Sequence, residues 1–180
     1  MSSALIPVCA FLIAAKWSAQ LALEWLNQRH VQAQAGAVPA AFAAVITPEA
    51  YAKSTAYTLA KSRFDMVQLT WSAMVLAVAL FSGILPWFYR VFQTSVGTSI
   101  WASAAFLMVM GVLFSIIDLP LEWHAQFNLE ERFGFNTTTP GTWWLDRLKG
   151  LLLSLALGFP LLALFLKLTV WLGAAWWFWA

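Results

Sequence analysis

Apolar residues gather along this chain in stretches far longer than a helix turn, separated by polar segments of unequal length. Four stretches, 4–26, 66–88, 98–119 and 151–172, each reach the ~20 mostly apolar residues that a bilayer-crossing helix needs. A further piece, GAAWWFWA from Gly173, has only eight residues before the sequence stops at Ala180, so it is expected to lie at the interface or to open a fifth helix. Backbone polar groups cannot go unpaired in hydrocarbon, so spanning segments are helices or strands of a closed barrel. Period-two alternation is absent, which removes the barrel. The pattern predicts an all-α polytopic transmembrane bundle, one membrane domain over 1–180, with four spanning helices and the start of a fifth.

Tryptophan supports these limits. Trp87 closes the second stretch, Trp101 opens the third, Trp123 follows its end, and Trp143 and Trp144 precede the fourth. An indole is apolar with one N–H that wants a partner, which suits the headgroup level. Composition agrees: 62% of residues are hydrophobic and 10% charged, with a mean hydropathy of +0.74. So few charges cannot make the polar shell of a water-soluble domain. A net charge of +2 without a basic stripe excludes a nucleic-acid partner. Cys9, the single cysteine, lies in an apolar stretch, so disulfides within the chain and cysteine-rich zinc sites are excluded. The first stretch lacks a basic leader and holds Lys16 in its middle, so it reads as a retained helix, not a secretory signal.

Basic residues set an expected orientation. The segment 27–65 holds Arg29, Lys53, Lys61 and Arg63, and the connector 120–150 holds Arg132, Arg147 and Lys149, against Arg90 alone between the second and third stretches. The positive-inside rule puts both rich segments in the cytoplasm and the N-terminus outside. Thr47-Pro48-Glu49 reads as a helix start, with an N-cap, a proline at the first position and an acid in the first turn. No Pro or Gly follows until past Ser82, so one helix is expected to run from a cytoplasmic arm into the membrane, projecting roughly 25 Å beyond it. Thr139-Pro140 repeats the start signal, and Gly134 and Asn136 in FGFN suit a tight turn. Lys16, Glu24, Asp118 with Glu122, and Lys167 are ionisable groups in or at the edges of spans. They are open to two readings, lining of a polar path or snorkelling and local pairing.

On its residues alone the connector NLEERFGFNTTTPGTWWLDRLKG is a solvated cytoplasmic loop anchored by its rings. It also resembles the signature of the integral-membrane zinc metalloproteases of the CAAX prenyl protease 1 type, bacterial members included. The resemblance extends upstream through VPAAFAAVITPEAYAKSTAYTLAKSRF, similar to the family's cytoplasmic arm, and WLNQRHVQAQAGAVP, similar to the end of its first span. It implies structural or interaction roles for Glu130, Glu131, Arg132, Phe133, Gly134, Phe135, Asn136, Asp146 and Lys149. Glu130, Glu131 and Arg132 are expected to meet groups that this chain does not contain. It further implies a large membrane chamber, a peptide or prenylated-protein substrate, and zinc in the whole enzyme, all requiring a C-terminal catalytic half. The compartment it suggests is a bacterial inner membrane.

Family chemistry needs H-E-x-x-H, two histidines one helical turn apart with a glutamate between them. This sequence has only His30 and His124, neither followed by Glu. No catalytic residue and no metal ligand is therefore expected here, and no bound cofactor; the zinc helix would lie beyond residue 180. A metal-free glutamate protease fails on spacing, because Arg132 directly follows the Glu pair. No Gly-x-Ser-x-Gly elbow is present either. The reading is an inactive N-terminal transmembrane scaffold of such a protease. The alternative is a free-standing small helical membrane protein, a transporter subunit or a chaperone-like component.

Overall fold

The computed structural model describes residues 5–39 and 42–173, and these are almost entirely helical, with no strand among them. The expected start of a fifth helix falls on 174–180, outside the described residues. Four helices among the described residues are long and apolar enough to cross a membrane: Leu5–Gln34, Pro48–Phe81, Ile100–Phe133 and Pro140–Leu172. The chain divides into two compact units, Met1–Leu85 with Trp123–Asn136, and Pro86–Glu122 with Thr137–Ala180.

The first unit is built on α1 (Leu5–Gln34) and α2 (Pro48–Phe81), which pack along each other. α1 continues past the expected limit at 26, and its end is tied down where Tyr51 Oη donates to the Gln34 carbonyl at 2.9 Å. That bond satisfies one of the carbonyls a helix end leaves without a partner. α2 starts as its sequence dictates: Thr47 Oγ1 accepts from the Ala50 amide at 3.2 Å, with Pro48 at the first position. It is one helix of 34 residues, about 51 Å long at ~1.5 Å per residue. The second apolar stretch was expected to run to 88, but α2 closes at Phe81. Gly83 sits at φ 80°, a left-handed turn that only glycine adopts freely. Pro86, with no amide proton, could not have continued the ladder back to Ser82. The unit is completed by the segment Trp123–Asn136.

The second unit begins with α3 (Ile84–Val96), a separate helix of 13 residues; its first five had been counted into the second apolar stretch and the rest read as a short turn. Gly97 at φ 98° ends it. α4 (Ile100–His124) follows, opened by Ser99 Oγ accepting from the Ala102 amide. The third stretch was expected to stop at 119 and give way to a loop. The helix instead carries Pro120 inside it, passes through a π-helical turn at Ala125–Glu130, and ends as α5 (Glu131–Phe133). Only a short turn separates it from α6 (Pro140–Leu153), which runs through a second π-helical turn, Ser154–Gly158, into α7 (Phe159–Leu172). The second π turn has a cause. Pro160 would otherwise press its ring on the carbonyl of Ala156, and an extra residue in that turn relieves the clash. Within this unit Ala102, Ala104, Phe106, Trp143 and Ala163 are buried. Small residues let helix backbones approach in lipid, and a Cβ added at Gly158 would lie 3.3 Å from the Met108 methyl.

Candidate functional site

The family-like block folds into a helix stop docked on the arm. Gly134, at φ 73°, donates its amide to the Glu131 carbonyl at 3.0 Å, and Phe135 donates to the Glu130 carbonyl at 2.9 Å. This pair is the Schellman closure of a helix, and it needs a left-handed residue at Gly134. The turn then places two rings edge-on against Tyr57 of α2, Phe133 at 5.3 Å and Phe135 at 4.7 Å between centroids. Tyr57 Oη donates to Glu130 Oε1 at 2.6 Å. That hydrogen bond, with burial and the carboxylate's charge adding to it, pushes the Tyr57 hydroxyl up to about 12, so it stays protonated. Lys53, one turn earlier on α2, lies 5.4 Å over the Phe135 ring.

Glu130 and Glu131 were expected to seek partners outside the chain. The structure corrects this. Glu130 is held by Tyr57, and Glu131 Oε2 accepts from Asn136 Nδ2 at 2.7 Å. Asn136 Oδ1 in turn accepts from Gln126 Nε2 at 2.6 Å, so one amide locks the turn to the helix above it. Arg132 lies 5.7 Å from the Phe133 ring and lines a shallow recess with Arg63, Ala56, Leu59 and Ala60. Asp146 and Lys149 sit in the other unit, on α6, where they pair with each other at 3.6 Å. The structure therefore brings together the seven residues from Glu130 to Asn136. In the second unit, Arg147 bridges to Glu122 at 2.8 Å and stacks 4.7 Å over the Trp143 ring. Glu122 is thus a structural partner, not one half of a pair with Asp118.

A second polar feature lies between α1 and α2. Lys16, Gln20, Glu24 and Gln28 recur every fourth residue on α1, and Ser62, Asp65, Gln68 and Ser72 lie along α2. Glu24 Oε2 accepts from Ser62 Oγ at 2.5 Å, Gln28 Nε2 reaches Met66 Sδ at 3.1 Å, and Trp17 Nε1 donates to Thr70 Oγ1 at 3.2 Å. Two grooves follow this stripe. One of about 540 Å³ is lined by Gln20, Glu24, Asp65, Gln68 and Ser72. The other, about 380 Å³, is lined by Lys16, Gln20 and Ser72 with apolar neighbours. Sequence reasoning picked out Lys16 and Glu24 but missed Gln20, Gln68 and Ser72. The four-residue spacing in AKWSAQLALEWLNQ was the available signal for Gln20, and the same spacing from Gln68 to Ser72 was the signal on α2.

The residues present do not fit zinc. Among the described residues no three His, Cys, Asp or Glu side chains converge to hold a metal ion. His124 is stacked on Phe64 at 5.4 Å, with its Nδ1 2.7 Å from Asn128 Nδ2.

A polytopic helical membrane protein with a connector docked on the long helix α2 is the class that this architecture defines. The family described as CAAX prenyl protease N-terminal, five membrane helices, matches residues 27–180. The chain is 33% identical over 138 residues to CAAX prenyl protease 1 of Saccharomyces cerevisiae, covering 68% of this chain and 29% of that protein. It is likewise 33% identical over 133 residues to a CAAX prenyl protease 1 homolog of Arabidopsis thaliana, covering 70% and 31%. The crystal structure of S. mikatae Ste24p superposes with a TM-score of 0.80 at 27% identity, over 94% of this chain and 41% of that one. The chain belongs to the CAAX prenyl protease family and corresponds to its N-terminal membrane region. It spans less than a third of the length of these two curated relatives.

Proposed function

We propose that this chain is the membrane scaffold of a CAAX-type metalloendopeptidase, inert alone in peptide hydrolysis. In this reading the α1–α2 pair contributes a wall of an intramembrane chamber, with the polar stripe towards its interior. The arm and the block Glu130 to Asn136 brace that wall on the cytoplasmic side, the N-terminus lying outside. The bilayer is a bacterial inner membrane in this proposal, and Asp146 and Lys149 are signature residues of the connector. Arg132, with Arg63 at the open recess, contacts the catalytic part that supplies H-E-x-x-H and zinc. Prenylated or otherwise exposed peptide C-termini are the substrate class. The observation that carries the reading is the dock of the connector on Tyr57, which gives the family-like block a definite mechanical role.

Co-expression tests it. The 180 residues alone should bind no stoichiometric zinc and hydrolyse no prenylated CAAX peptide. Activity should appear only with a downstream family segment carrying H-E-x-x-H, and Arg132→Ala should weaken that assembly more than it lowers zinc content. Zinc bound one per chain by the 180 residues alone, with peptidase activity lost in His124→Ala, would overturn the proposal.

A further inference from the structure

The helix α3 has three unlike sides. Successive residues turn by about 100° on a helix. One side carries Phe88, Tyr89 and Phe92, which pack on the buried Phe106 of α4 with ring centroids 5.8, 5.0 and 5.6 Å away. The side turned away from Phe106 carries Arg90, with Gln93, which donates to Tyr89 Oη at 2.6 Å, and Thr94 at its two edges. Between them lies an apolar flank, Trp87 and Val91 one turn apart, 57% and 43% exposed. Neither residue is accounted for by the packing on α4.

Position along α4 says what meets this flank. Phe106 is six residues in from the start of α4 at Ile100, about 9 Å along the axis. A helix lying in a membrane surface sinks its apolar face roughly 5–10 Å into the headgroup boundary, so α3 is held at that depth. The segment linking two consecutive spanning helices must lie on one membrane face, and α3 is that link, bounded by Gly83 and Gly97 in left-handed turns. Trp101 at the mouth of α4 is also exposed, at 61%, which gives this end of the unit two outward indoles. The one charge on α3, Arg90, is on the side away from Phe106, as a residue facing phosphates would be.

We propose that α3 is a membrane-surface anchor whose ligand is the lipid headgroup layer. It lies flat on the leaflet where α4 begins, presses Trp87 and Val91 into the acyl boundary, and offers Arg90 to lipid phosphates. Its packing on Phe106 transmits that depth to α4, so the anchor fixes how far α4 is inserted. This inference rests on the membrane character of the chain and not on the protease reading.

Spin labels on single cysteines in the Cys9→Ser chain, reconstituted in phosphatidylcholine–phosphatidylglycerol vesicles, test it. Collisions with oxygen report lipid and collisions with a water-soluble nickel chelate report solvent. Labels at Trp87→Cys and Val91→Cys should favour oxygen severalfold over labels at Arg90→Cys and Gln93→Cys, which should favour nickel. A label at Leu107→Cys, exposed on α4, checks that each preparation is inserted, through its oxygen preference. Equal nickel access at 91 and 93 would put α3 in water and overturn the anchor. Protection of position 91 from both reagents would mean that protein, a second copy or another segment, covers the flank, and would overturn it equally.

Discussion

Removing one hydroxyl should measure how firmly the connector is docked. In Tyr57→Phe both edge-on contacts with Phe133 and Phe135 remain, and only the 2.6 Å bond to Glu130 is lost. A hydrogen bond to a charged group contributes about 1.5–3 kcal/mol, and the low end applies here because the pair is only half-buried. About 1.5 kcal/mol corresponds to roughly a tenfold shift in the open population. Tyr57→Ala also loses two aromatic pairs at about 0.5–1.5 kcal/mol each, bringing the loss to roughly 3–4 kcal/mol and several hundredfold. Glu130→Gln keeps a neutral acceptor and should cost about half as much as Tyr57→Phe. The assay is hydrogen exchange at the Gly134 and Phe135 amides, whose bonds to Glu131 and Glu130 break when the turn opens. Unchanged exchange in Tyr57→Phe, or identical exchange in the Phe and Ala variants, would refute a dock held by both bond and rings. Titration gives an independent check. Since the folded hydroxyl is raised above its free value of about 10, its contribution is complete below about pH 10 and is lost as pH rises through about 12. Tyr57 should therefore ionise near pH 12, and its titration should move down towards its free value in Glu130→Gln.

Three further outcomes are expected. Gly134→Ala has room, with Lys53 Nζ 3.8 Å from the new methyl, so its cost is backbone strain of about 1 kcal/mol, seen as a fall of about 2–4 °C in the apparent melting temperature. Arg147→Ala should lower it about twice as far as Glu122→Ala, because the first loses both the half-exposed ion pair and the stack on Trp143, each worth under about 1 kcal/mol. In the Cys9→Ser chain, Ser54→Cys and Thr138→Cys should label from the same side of the membrane; labelling from opposite sides would defeat the proposed orientation.

What the sequence made legible was local. Thr47-Pro48 and Thr139-Pro140 act as helix starts because the cap is made within three residues, by Thr47 with Ala50 and by Thr139 with Thr142. Gly134 likewise turns the chain where its neighbours suggested. The Tyr57–Glu130 bond joins residues 73 positions apart, and no spacing rule points to such a pair. The block itself was noticed only because it resembles a family signature. The limit at 119 marked the end of apolar content and not of the helix. In a membrane protein the carbonyl that a proline frees finds other partners, so the helix carries Pro120 and goes on to Phe133. The α3 helix was hidden by counting alone. Its first five residues extend the apolar stretch of α2 and the rest falls in what counts as a turn, so only Gly83, Pro86 and Gly97 mark its limits.

The polar stripe on α1 shows how spacing and geometry must be read together. Four residues turn a helix by about 400°, so a residue repeated every fourth position advances about 40° around the axis at each step. From Gln28 to Lys16 the stripe winds through roughly 120°. Its lower members meet α2, with Gln28 on Met66 and Glu24 on Ser62. Gln20 has turned into the grooves, and Lys16 lies furthest round, in a groove otherwise walled largely by Leu12, Ile13, Leu69, Ala73 and Leu76. A lysine facing lipid at the middle of a span costs about 2.5–3.5 kcal/mol even on the mildest scale. The same lysine facing water costs little. The side of α1 that carries Lys16 is therefore a poor lipid face, and the proposed chamber interior supplies the water that the winding stripe calls for.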